Sequence, residues 1–175
     1  MPSDGTILIT DIGHAKINAA VSADSKVEIS HVALGDGNGA VYAPVETQTA
    51  LKQELARVAI KSRHVGGDNT WVIKAEFDAE TTPAFWVREI AFIDTDGDVI
   101  FLWAGADISP RQTGAIDYLI EHALNLDRIK DGVVIVAAPD DAVFDLAVFT
   151  AQNLATLHLE QFRQSERIRE LHGAY

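Results

Sequence analysis

Phe85–Gly105 reads FWVREIAFIDTDGDVIFLWAG. Two apolar runs, FWVREIAFID and VIFLWAG, flank TDGD, where Gly97 is free to take the positive φ that closes a tight turn. The spacing predicts a β-hairpin. Both runs are apolar on nearly both faces, the pattern of strands covered on each side, so the hairpin belongs in the middle of a sheet or sandwich.

Other segments of the chain extend this β-rich reading. LARVAIKSRHV (Leu55–Val65) sets Val58 and Ile60 against Arg57, Lys61 and Arg63 until Gly66-Gly67-Asp68-Asn69 interrupts it, and TWVIKAEF (Thr70–Phe77) resumes the alternation. These two runs are predicted to pair antiparallel. KVEISHVALG (Lys26–Gly35) is a strand in which Val27, Ile29, His31 and Ala33 share one face. GVVIVAAPDDA (Gly132–Ala142) carries a short strand stopped by Pro139. Ile116–Ile129 fits a strand or a helix equally well, and ETQTALKQEL (Glu46–Leu55) is expected to hold a helical turn.

Thr10-Asp11 offers an N-cap to a short helix that ends near Ser22-Ala23-Asp24. From Phe144 to about Leu171 there is no Gly or Pro, and this is the longest helix candidate, about 40 Å if continuous. Leu154, Leu157, Gln161, Gln164, Ile168 and Leu171 follow a 3-4-3-4-3 spacing, a heptad register with two polar layers. By spacing alone, an amphipathic helix lying on its own domain is an equal alternative. The expected fold is α+β: a β-rich antiparallel sandwich-like head with a short N-terminal helix and a long C-terminal helix. The expected domains are residues 1–143 and 144–175.

Composition narrows function. The chain has 175 residues, enough to bury about 70% of its unfolded surface. With 26 acidic against 14 basic residues the formal charge is −12, which repels a nucleic-acid backbone. There is no cysteine, so disulfides and thiolate metal sites are excluded. No window approaches the roughly 20 apolar residues of a membrane span, and the first residues lack a basic stretch leading into an apolar one.

Two loops invite a ligand. Gly35, Gly37 and Ala40 fit G-x-G-x-x-A after a strand, but Val41-Tyr42-Ala43-Pro44 stands where the helix of a phosphate cradle must start, and Asp36 would face the phosphate. Asp94, Asp96 and Asp98 match the first ligands of a calcium loop, yet position 6 is Val99 and position 12 is Gly105. Both loops read better as turns. In the first, glycines supply positive φ and Asp36 and Asn38 cap the backbone; a small-ligand or calcium module using Gly35–Gly39 and Asp94–Asp98 is the rival function. The six histidines make no zinc pattern, and no nucleophile elbow is present. Arg88 and Glu89 interrupt the apolar run FWVREIAFID; neighbours on a strand point to opposite faces, so each is expected to find a cross-strand or inter-subunit partner. Neither an enzyme nor a cofactor is indicated.

Read together, LITDIGHAKI, HVALGDGNGAVYAPVETQTAL and FWVREIAFIDTDGDVI resemble the N-terminal domain of phage tail-collar fibre proteins of contractile-tail phages. The resemblance rests on the start motif, on Gly35-Asp36-Gly37-Asn38-Gly39 followed by Pro and Gln-Thr-Ala-Leu, and on Trp86, Arg88 and Glu89 leading to Asp96-Gly97-Asp98. It covers Ile7–Leu102 well and Ala115–Leu146 loosely. It implies a structural virion protein, assembled in the host cytoplasm, that attaches a host-recognition fibre to the tail baseplate. It also implies a homotrimer, which favours a trimeric coiled coil with Leu154, Leu157, Gln161, Gln164, Ile168 and Leu171 in its seam. Family members commonly continue into a shaft and a receptor-binding tip. Ending at Tyr175, this chain is expected to be an adapter or short fibre that presents its C-terminal helix to a further fibre or receptor-binding protein; a piece of a longer fibre would read the same.

Overall fold

In the computed structural model the described residues are 7–67, 70–105, 111–113, 118–126, 129–130 and 132–172. In chain order the elements are β1 (Leu8–Ile9), α1 (Asp11–Ala23), β2 (Val27–Gly35), β3 (Glu54–Ala59), β4 (Ser62–Gly67), β5 (Thr70–Phe77), β6 (Trp86–Val87), β7 (Glu89–Asp94), β8 (Val99–Ala104), β9 (Arg111–Gln112), β10 (Tyr118–Asn125), β11 (Val134–Val136) and α2 (Ala142–His172). The chain divides into two compact units, Met1–Pro139 and Asp140–Tyr175.

In the first unit the predicted hairpin is present. β7 pairs antiparallel with β8, Phe92 opposite Phe101 and Glu89 opposite Ala104, and Gly97 has φ +95°. β7 is buried along its whole length and pairs with β8 on one edge and β2 on the other. Its side chains alternate between two clusters: Ile90 and Phe92 join the main core, whereas Ala91 and Ile93 join a smaller one with Ala33, Val99, Leu102 and Leu51. Both faces are therefore dry, as the uninterrupted apolar run requires.

The main sheet has six strands in the order β1-β8-β7-β2-β11, with β3 also on β2. The chain changes sheets at Ile60-Lys61: the Ile60 N–H donates to Ser30 O (2.9 Å), and the Lys61 N–H to Lys74 O (2.8 Å). β4 then pairs with β5, as the alternation predicts, in the three-stranded sheet β10-β5-β4. Ile73, Ala75 and Phe77 of β5 enter the same core as Phe92 and Phe101.

Several expectations are corrected. The head is not an antiparallel sandwich, because β11 runs parallel to β2, Val134 opposite Val27 and Val136 opposite Ile29. The single-face reading of β2 fails at a bulge between Ile29 and His31, which shifts the phase so that Val27, Ile29, Val32 and Leu34 share the main core. Residues 46–53 form turns and not a helical turn. The ambiguous segment is the strand β10, paired along its length with β5; residues 114–117 and 127–128 lie outside the described residues.

The second unit contains α2. The trimeric coiled coil expected of it is not seen among the described residues, where α2 is a single helix. A register placing Leu154, Gln161 and Ile168 at one core position and Leu157, Gln164 and Leu171 at the other would bury two glutamines. It would also leave the large apolar side chains of Leu159 and Phe162 outside the seam, and they are as exposed as Leu154, which the register places in it. Among the described residues no helix is long and apolar enough to cross a membrane.

Candidate functional site

Glu89 opens β7 and lies opposite Gly35 of β2. It is wholly buried, and a carboxylate there requires donors. Four are supplied. The Gly37 N–H (3.1 Å) and the Gln53 N–H (2.9 Å) donate to Oε1, and the Tyr42 hydroxyl (2.6 Å) and the Lys52 N–H (2.9 Å) donate to Oε2. Gly35 provides the space, because a Cβ there would stand 2.4 Å from Oε1 and 2.3 Å from Gln53 O. The Arg88 N–H donates to Gly35 O (2.9 Å), closing the arrangement from the strand side.

The glycine loop presents the Gly37 amide. Gly37, Asn38 and Gly39 have φ of +65°, +60° and +78°, a run that glycine and asparagine tolerate best. Asp36 Oδ1 accepts from the Asn38 N–H at 3.0 Å, the local cap expected of an aspartate in a turn. Farther on, the Tyr42 hydroxyl accepts from Gln48 Nε2 (3.2 Å), and Lys52 Nζ lies 3.7 Å from the Tyr42 ring centre. Burial, and then the hydrogen bond to Glu89, hold the Tyr42 phenol well above its usual range.

The second cluster joins the start motif to the hairpin turn. Thr10 caps α1, its Oγ1 accepting from the Gly13 N–H (2.9 Å) and donating to Val99 O (2.5 Å). Gly13 permits the helix to approach β8, since a Cβ there would lie 2.5 Å from Ile100 O. One turn on, Lys16 Nζ meets Asp94 (2.5 Å), Asp96 (2.9 Å) and Asp98 (2.6 Å). Asp94 Oδ1 also accepts from the Asp96 and Asp98 N–H groups. Partial burial pulls the Lys16 ammonium down, but its hydrogen bonds to the three carboxylates outweigh this and raise its pKa. The ammonium thus occupies the space between the three carboxylates of the loop read as a possible calcium site and offsets one of their charges.

The structure brings Gly35, Gly37 and Glu89 together, and gathers Asp96 and Asp98 beside Lys16. Asp36, Asn38 and Gly39 shape the turn without touching Glu89. Trp86 is half-exposed on β6, paired with β9. Among the described residues the Arg88 side chain reaches Trp86 O at 3.5 Å, while Glu89 is held within the chain by Gly37, Tyr42, Lys52 and Gln53 of the segment that follows β2. Leu154, Gln161 and Gln164 are exposed on α2; the side chains of Leu157, Ile168 and Leu171 lie outside the described residues. Sequence reasoning missed Lys16, Tyr42, Gln48, Lys52 and Gln53; the first three lie within the quoted motifs, and Lys52 and Gln53 follow directly after the second.

Each cluster ties one of the quoted motifs to another through a buried or shielded charge. A shallow cavity of about 480 Å³, lined by Ala59, Ile60, Lys61, Glu76 and Asp78, involves neither cluster. Among the described residues no three histidine or carboxylate side chains are arranged to hold a metal.

The family described as phage tail-collar fibre protein, N-terminal, matches residues 1–107. A protein named probable tail fiber protein, from Escherichia phage P2, is 35% identical over 95 residues, which is 53% of this chain and 14% of that protein. The match thus spans about one-seventh of that relative's length. No solved structure gives a significant match. The matched region holds both charge clusters, from Lys16 to Asp98, and the chain belongs to the phage tail-collar fibre protein family, as a structural component of the virion tail.

Proposed function

We propose that this chain is a non-enzymatic fibre or fibre adapter that anchors to the baseplate of a contractile tail through its N-terminal unit. Its C-terminal end then joins a further fibre or receptor-binding protein that attaches to the host. The observation that carries this reading is the family match over residues 1–107, whose three motif stretches are joined to one another by the hydrogen bonds of Glu89 and the ion pairs of Lys16. An electron-microscopy map of the tail particle tests it. Density for this chain at the baseplate is the expected result, and density elsewhere on the tail overturns it.

The chain works as a homotrimer in this reading. Exposed apolar residues of α2, Leu154, Leu159 and Phe162, support association without a heptad seam. Light scattering should give three times the 19.0 kDa chain mass. A single-chain mass at every concentration would remove the trimer while leaving the anchoring role intact.

A further inference from the structure

Residues 37–53 connect β2 to β3 with neither helix nor strand. Both ends of this segment donate to the same oxygen, Gly37 N–H and Gln53 N–H to Glu89 Oε1, while Tyr42 from its middle takes Oε2. It is further tied by the Asp11 N–H to Glu46 O (2.8 Å) and by Leu51, buried in the smaller core cluster. A loop closed at its base and packed by its own side chains is an Ω-loop, a form often used for recognition.

Its outer surface is made mostly of small uncharged residues. Ala40, Val41, Ala43, Val45, Thr47, Thr49 and Ala50 are exposed, Val41 by 46% and Val45 by 54%. Glu46 and Lys52 are the charged residues of 37–53, so the loop carries no net charge on a chain of net charge −12, and Lys52 Nζ lies over the Tyr42 ring. Interface centres are depleted of charge, and a surface already held in shape loses little entropy on binding. The acidic remainder of the chain would steer toward a basic partner surface. At this loop that steering is weak, so the complementary patch is itself uncharged.

We propose that the loop 37–53 is the surface by which this chain docks on a tail protein, against an uncharged, apolar patch of that partner. Glu89 is the positioning residue that holds the loop in shape. The proposal rests on the anchoring reading above.

The test compares wild type, Val41→Asp/Val45→Asp and Glu89→Gln, supplied as full chains to cells assembling tail particles. Copies per purified particle, sedimentation of the free chain and amide hydrogen exchange are measured. The Val41→Asp/Val45→Asp chain should keep wild-type exchange yet be incorporated at least about tenfold less, as for loss of an interface centre. Glu89→Gln should speed exchange at Gly37, Lys52 and Gln53 by about tenfold or more while Phe92 and Leu102 stay protected, and should also lower incorporation. Normal incorporation of Val41→Asp/Val45→Asp beside wild type overturns the docking surface and leaves the anchoring reading standing. Absence of wild type from the baseplate overturns the anchoring reading itself. Loss of self-association in Val41→Asp/Val45→Asp would make the loop a contact between copies and overturn the tail-protein assignment.

Discussion

Gly35 and Glu89 compete for one volume: the carboxylate of Glu89 lies where the first side-chain carbon of any other residue at position 35 would go, 2.4 Å from Oε1. Gly35→Ala is expected to destabilise the chain by about 3 kcal/mol through overpacking, lowering Tm by roughly 6 to 12 °C for a chain of this size. The clash involves Gln53 O as well, so Glu89→Ala should relieve it only in part. Gly35→Ala/Glu89→Ala should nevertheless lose less than the sum of the single changes. Thermal unfolding of the four chains measures this, and full additivity would show that the two residues do not interact.

Lys16 faces three carboxylates, one of them, Asp94, nearly buried. Lys16→Met should cost about 2 kcal/mol, the scale of a lost charge-assisted hydrogen bond. Because the folded-state pKa of Lys16 is raised, its contribution is complete at pH values below the ordinary lysine value of 10.5 and fades as pH climbs above it. Denaturant unfolding of wild type and Lys16→Met should give a constant difference around neutrality that narrows only at strongly alkaline pH. A difference that vanished by pH 8 would contradict the ion-pair assignment.

Calcium has no place beside that ammonium. Adding calcium, or a chelator, should leave Tm unchanged. A rise with calcium that the chelator reverses would restore the acidic turn as a metal site.

Tyr42 gives a spectroscopic handle. Its phenol is held above the ordinary value of 10.0, first by burial and then by Glu89. It favours folding fully below that value and less as pH rises beyond it. Tyrosinate absorbance should therefore show one of the chain's three tyrosines ionising late or only on unfolding, a step missing from Tyr42→Phe. The same change should cost about 2 kcal/mol by leaving Glu89 short of a donor. Identical titration curves for the two chains would rule out the buried hydrogen bond.

Thr10 both caps α1 and fastens it to β8. Thr10→Val keeps the shape and removes both hydrogen bonds, with an expected cost of about 2 kcal/mol. Helix content by circular dichroism should fall at a lower temperature than in wild type; an unchanged melting curve would mean that neither bond matters to the helix.

The parts of the fold visible in the sequence were those encoded by neighbours in the chain. Thr10 as a cap, Gly97 in its turn and the alternation of Thr70–Phe77 depend on residues a few positions apart, and α1, the β7–β8 hairpin and the β4–β5 pairing follow from them. The bulge in β2 and the parallel seat of β11 depend on distant partners, and neither leaves a local mark. The site was half legible for the same reason. Glu89 attracted notice as a charge in an apolar strand, but three of its four donors are backbone amides, which every residue carries. Only folding shows which of them converge. The heptad spacing of α2 misled because spacing records where apolar residues recur, while Leu159 and Phe162 lie off that register.

The edge of β2 that faces away from β7 is shared end to end, β3 covering His31–Gly35 and β11 covering Val27–Ile29. The family match stops at residue 107, well before β11. A chimeric fibre spliced at that boundary would discard Val133 O, which accepts from the Val27 N–H, and the Ala137 N–H, which donates to Ile29 O. It would leave a bare strand edge, a template for unwanted pairing between chains. A graft carried through Pro139 brings its own closing strand, which makes that the junction for transplanting this head onto another fibre.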